Sequence, residues 1–127
     1  MAEILSEALP DVSQDRGRVI AKATINAARD LEMANTELAR IIGVSPSTVS
    51  KMTDGGYSLS GKSFELAAYF VRIFRSLDAI AGGDRATMVG WMRNANSDLR
   101  SMPVQHMHTV AGLVDVMNYL DAQRAPL

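Results

Sequence analysis

A chain of 127 residues with 47% hydrophobic content can bury one modest core, or two small helical units that share an interface. Zero cysteines exclude disulfides, thiolate zinc sites and a cysteine nucleophile together; no apolar run reaches about 18 residues and the start MAEILSEALPDVSQD is acidic, so neither a membrane helix nor a signal peptide is indicated and a cytoplasmic location is expected. The net charge of −1 weighs against a strong nonspecific nucleic-acid binder, since residues 1–60 hold six Lys/Arg against eight Asp/Glu.

Residues 1–14 mix acidic and small residues with Pro10 and read as a flexible arm. From Asp15 to Leu31, the residues Val19, Ile20, Ala23, Ile25, Ala27 and Ala28 give a broad apolar helical face. Next comes NTELARIIGVSPSTVSKMTD, Asn35 to Asp54. Leu38, Ala39 and Ile42 form one apolar stripe and Val49 with Met52 a second, so two short helices must face each other. Ala39 is small where the axes would cross, Gly43 can take the positive φ that ends the first helix, and Val44 plugs the corner. Ser45 is a good N-cap and Pro46 suits the first helical position, where its missing N–H costs nothing. Ser47, Thr48, Ser50 and Lys51 then point outward, short enough to approach base edges and phosphates. Gly55 and Gly56 close the second helix. A helical hairpin in a bundle core needs similar stripes; the agreement of crossing residue, turn glycine and Ser-Pro start favours a DNA-type helix-turn-helix over residues 15–59.

After a polar joint at Tyr57 to Ser63, a long helix runs from Phe64 to Ala81. One stripe holds Phe64, Ala67, Ala68, Val71 and Phe74; another holds Leu66, Tyr69 or Phe70, Ile73, Leu77 and Ile80. A helix apolar on two sides must be covered on two sides, which predicts a central helix that also forms a homodimer seam at Phe64, Ala68, Val71 and Phe74. Gly82 and Gly83 stop it, and Asp84 caps a helix from Arg85 to about Ala95. A turn at 96–102, a short piece begun by Pro103 and a final helix capped by Thr109 follow. On that last helix Val110, Leu113, Val114, Met117 and Leu120 make the apolar face. No strand-period segment appears, so the fold is expected to be all-α, with residues 60–127 as the second domain.

The stretch ELARIIGVSPSTVSKM resembles the helix-turn-helix of the Xre-type repressor family over about twenty residues. That resemblance implies that Ser47, Thr48, Ser50 and Lys51 read the major groove, with Ser45 at the cap beside them, and that Thr36 and Arg40 lie near phosphates. With so few cations, binding would need a homodimer on a palindromic operator, its half-sites about 34–36 Å apart or multiples of that. A second pattern, Trp91, Asn94, Asn96, Leu99, Pro103, Gly112, Val116 and Tyr119-Leu120, resembles the toxin-binding domain of the Xre/MbcA/ParS antitoxins. The usual partner of that family is a RES-domain toxin that consumes NAD. The resemblance therefore implies an antitoxin that inhibits such an enzyme and represses their shared operon, with Trp91, Asn94, Asn96, Tyr119 and Leu120 at the toxin surface. The tail bearing Gln123, Arg124 and the Leu127 carboxylate is either a plug for the toxin's cleft or a frayed end.

Nothing marks an enzyme or a cofactor site. His106 and His108 stand two apart, on different sides of a helix, and no carboxylate cluster completes a metal site. No nucleophile sits on a strained turn with a base beside it, and the glycine pairs lack a phosphate-loop Lys-Ser/Thr. Trp91 fits a core position as well as an interface anchor, and the eight methionines are mostly packing. A stand-alone transcriptional regulator, and a toxin inhibitor that has lost DNA binding, remain the alternative readings.

Overall fold

The computed structural model describes residues 12–124, without the side chains of Ser13 and Gln14. Seven helices follow one another among them: α1 (Val12–Asp30), α2 (Asn35–Ile42), α3 (Pro46–Asp54), α4 (Gly61–Ala81), α5 (Arg85–Arg93), α6 (Pro103–His106) and α7 (Val110–Arg124). The described residues hold no strand, only an isolated antiparallel bridge between Asn96 and Ser101, so the chain is all-α. None of these helices is long and apolar enough to cross a membrane.

Helix α1 begins at Val12, inside the segment expected to be a loose arm; residues 1–11 lie outside the described residues. It buries Ala21, Thr24, Ile25 and Ala28, the face set by i, i+3, i+4 and i+7 spacing, and Leu31 just past its end is buried too. Thr24 is tolerated there because its hydroxyl donates to the Ile20 carbonyl at 2.7 Å. Val19, expected inside, is 70% exposed: two residues before Ala21, it is turned about 200° around the axis from the buried stripe. Gly17 is buried because the chain at Ser58 and Leu59 lies directly on α1, with the Leu59 N–H donating to the Gly17 carbonyl at 3.2 Å.

Helix α4 is the wall shared by the two halves of the chain. It packs against α1 and α2 on one side and against α5 and α7 on the other. Leu66, Ala67, Phe70, Val71, Ile73 and Leu77 are buried, so the two-sided apolar pattern is satisfied largely within one chain. Val71, expected in a dimer seam, is 5% exposed and has no surface to offer a second copy, whereas Phe64, Ala68 and Phe74 stay half-buried. Gly82 takes φ 62° to end α4, and Asp84 accepts the Thr87 N–H at 3.3 Å to start α5.

On α7 the buried face is Gly112, Leu113, Val116 and Leu120. Val110, expected on that face, is 50% exposed, because Gly112 rather than a larger residue makes the close contact with α6. Thr109 receives the Gly112 N–H on its hydroxyl at 3.0 Å, starting the helix as expected. Met88, Met92 and Met107 are buried in the core cluster.

Candidate nucleic-acid and partner interfaces

The Asn35–Asp54 segment folds as two helices joined by a corner whose hydrogen bonds are all local. Glu37 accepts the Ala34 N–H at 3.0 Å, anchoring the start of α2. Gly43 adopts φ 73°, and the N–H groups of Gly43 and Val44 both donate to the Ala39 carbonyl, at 2.9 and 3.0 Å. Ser45 stays extended and its hydroxyl accepts the Thr48 N–H at 3.2 Å. Leu38, Ala39, Ile42, Val49 and Met52 are all buried, so the two stripes meet.

What remains outward is polar. Thr36, Arg40, Ser45, Ser47, Ser50 and Lys51 are exposed and Thr48 is half-buried. Ser45 Oγ lies 3.0 Å from both Ser47 Oγ and Thr48 Oγ1, which gathers three hydroxyls at the N-terminus of α3. Hydroxyls on a helix N-terminus, followed by a cation one turn later, suit hydrogen bonding to an anionic, donor- and acceptor-rich groove.

Two carboxylates in and just before this segment, Glu37 and Asp30, are paired from the other half of the chain. Arg93, at the end of α5, grips Glu37 through Nη1–Oε2 at 2.5 Å and Nη2–Oε1 at 2.8 Å, and donates to the Glu32 carbonyl at 3.1 Å. Arg85 pairs with Asp30 at 2.5 Å. The Arg93 hydrogen bond holds the Glu37 carboxyl below its ordinary range, with burial opposing and the Ala34 N–H assisting. Beside this pair stands His108, whose buried Nε2 has no hydrogen-bond partner among the described residues. Burial pushes that imidazole down, Arg40 adds to the effect and Glu37 opposes it.

The second surface is aromatic. Trp91 of α5 and Tyr119 of α7 stack with centroids 6.3 Å apart and planes 20° from parallel, and both are half-buried. Tyr119 Oη donates to Asp98 at 2.7 Å, a bond that also raises its phenol above the ordinary value. Asn94 is exposed, its amide donating back to the Gly90 carbonyl at 2.6 Å. Asn96 is half-buried and serves the turn: its side-chain oxygen accepts the N–H groups of Asp98 and Leu99 at 2.9 and 3.1 Å. Leu120, expected at the toxin surface, is 1% exposed and belongs to the core, since the apolar face of α7 that carries it is the one laid on α4. Gln123 is exposed; Arg124 is exposed too, but reaches Ser76 on α4 at 3.4 Å. Leu127 lies outside the described residues.

Sequence reasoning had missed Asp98 and the Glu37–Arg93 clamp. Their partners are 21 and 56 residues away, and no local pattern announces such pairings. His106 faces Asp115 at 2.8 Å, apart from His108, and the described residues bring no three potential metal ligands together.

A corner of this geometry, with a polar helix outside and apolar stripes inside, is that of a helix-turn-helix protein, here joined to a small helical module bearing an aromatic pair. Residues 11–72 match the antitoxin Xre-like helix-turn-helix domain, and residues 76–125 match the antitoxin Xre/MbcA/ParS C-terminal toxin-binding domain. The chain belongs to this antitoxin family, as a type II antitoxin in which a helix-turn-helix is followed by a toxin-binding domain. Both families are non-enzymatic. No curated protein matches the chain.

Proposed function

We propose that this antitoxin inhibits a RES-type, NAD-consuming toxin in the cytoplasm and represses its own operon by binding a palindromic operator as a homodimer. The observation that carries this reading is the division of labour between exposed surfaces: polar hydroxyls and Lys51 on α3, and the aromatic pair on α5 and α7. In the DNA half, Ser47, Thr48 and Ser50 approach base edges, Lys51 beside them neutralises the flanking phosphate charge, and Thr36 and Arg40 hold phosphates. In the toxin half, Trp91, Asn94 and Tyr119 form the centre, with Gln123, Arg124 and the tail to Leu127 reaching the enzyme's cleft. The half-buried Phe64, Ala68 and Phe74 serve the dimer, aided by Val12 and Val19, which are 62% and 70% exposed. The functional division falls near residues 59–60, with α4 packing against both halves.

Co-expression with the neighbouring reading frame tests the pairing: a RES-type enzyme should copurify and lose its NAD consumption, and a partner of another class would overturn that part. Trp91→Ala should leave the helical content intact while weakening neutralisation by about 30-fold or more, the loss typical of a central aromatic anchor. In a mobility-shift titration, Lys51→Ala should weaken binding to all duplexes alike, whereas Ser47 or Thr48 substitutions should change which operator is preferred. Equal losses on operator and random DNA for all three would contradict the assignment of base reading to α3.

A further inference from the structure

Along α1, Arg18, Lys22 and Arg29 fall at i, i+4 and i+11, on one face of the helix. That face forms one wall of an open cleft of about 420 Å³, whose other wall is Thr53 at the end of α3 and the Gly55–Gly56 turn. Arg29 and Thr53 also line a smaller concavity of about 210 Å³ that reaches Asn35, the first residue of α2. The two depressions therefore join into one strip, running from the turn after α3 to the N-terminus of α2.

Among the described residues, three cations line this strip and no carboxylate does. Arg18 is loosely matched by Asp15 at 3.5 Å, and among the described residues Arg29 meets the neutral Asn26, at 3.4 Å, and no carboxylate. Gly55 and Gly56 take φ 90° and 75°, and a Cβ built on either would meet nothing within 4 Å, so the turn presents bare backbone to whatever lies there. An open strip cannot enclose a metabolite, which needs most of its surface buried. A polymer carrying regularly repeated anions needs no enclosure. The strip also has one location in common with α2 and α3: it borders both helices of the helix-turn-helix, and a helix seated in the major groove is flanked by phosphate backbone.

We infer that this strip is a sequence-independent track for the DNA phosphodiester backbone, in which Lys22 and Arg29 each contact a phosphate and Arg18 extends the track along α1. The inference rests on the operator-binding reading above, and it accounts for how a chain of net charge −1 holds DNA. Among the described residues of the front segment, Asp30 and Glu37 are turned to Arg85 and Arg93 rather than to the strip, whose described lining carries a local positive field.

The test is a salt titration with the full chain and its double variant Lys22→Gln/Arg29→Gln, using the upstream operator duplex and a random duplex of equal length. Glutamine keeps the helix propensity at both sites, and circular dichroism checks the fold. Losing two phosphate contacts should lower the slope of log affinity against log salt by about 1.8, so that between 50 and 200 mM salt the wild type loses about tenfold more affinity than the variant. The loss at low salt should be the same on both duplexes, and the charge-conserving exchange Lys22→Arg/Arg29→Lys should restore wild-type binding. An unchanged slope with wild-type operator binding intact would overturn the track alone. A variant that keeps its slope but no longer captures the toxin would overturn it in favour of a protein-binding strip. A wild type that binds neither duplex at low salt would overturn the operator reading and the track with it.

Discussion

Gly112→Ala is expected to lower stability by about 3 kcal/mol, at the upper end of what a single overpacking change costs. A Cβ at residue 112 would stand 1.7 Å from the His106 carbonyl oxygen and 2.8 Å from its carbon. Both are backbone atoms, so no rotamer change relieves the clash; α7 must move away from α6. Leu113, Val116 and Leu120, now sealed on α4, would shift with it, as would Tyr119 on the partner-facing side. In urea, with a slope of about 2 kcal/mol per molar, the midpoint should fall by about 1.5 M, and copurification with the toxin should fail. Gly90→Ala supplies the opposite case. There an added Cβ meets only the flexible Asn94 amide, at 3.7 Å, so the helix of α5 should gain about 0.5–1 kcal/mol. Equal effects at the two glycines would mean that the close approach of α6 and α7 is not the constraint.

Arg93→Ala should cost about 1–2 kcal/mol. Charged hydrogen bonds of this kind contribute about 1.5–3 kcal/mol when well made, and partial exposure of both side chains, 34% for Arg93 and 23% for Glu37, reduces that. The loss would fall on the junction between the two halves, because the same guanidinium also holds the Glu32 carbonyl just before α2. Its pH dependence has a definite sign. With Arg93 in place the folded Glu37 carboxyl titrates below its ordinary value of 4.5, so the stabilisation is fully present above that value and is lost as the pH falls through the lower folded one. The difference between wild type and variant should therefore be constant from neutral pH down to about 5, then shrink in stronger acid. Denaturant titrations at pH 7.5 and at pH 3.5 measure it, and a difference that persists undiminished in acid would contradict the ion-pair assignment. His108 adds a separate step common to both proteins. Burial lowers its folded value below 6.5, so the unfolded chain takes up that proton first and stability begins to fall as the pH drops below 6.5.

The helix-turn-helix was legible because everything that makes it is local. Gly43, Ser45, Pro46 and the apolar spacing act within about one turn of their own position, and each does in the structure what its covalent chemistry allows. The same holds for Gly82 and Asp84 at the next boundary. The aromatic surface was legible only in part: Trp91 and Tyr119 could be singled out from their pattern, but not their stacking or the Asp98 beneath Tyr119.

The amino-acid order alone thus determined where helices start and stop, which residues share a face, and that no strand pattern competes. Tertiary packing decided which of those faces is covered. Val19 and Val110 are apolar yet exposed, while Val71 and Leu120 are withdrawn from any partner, because periodicity places residues around an axis without saying where the neighbouring axis lies. It also decided the electrostatics: Glu37 and Arg93 become a pair only when α5 crosses the start of α2, since a charge finds its counter-charge through space and not along the chain.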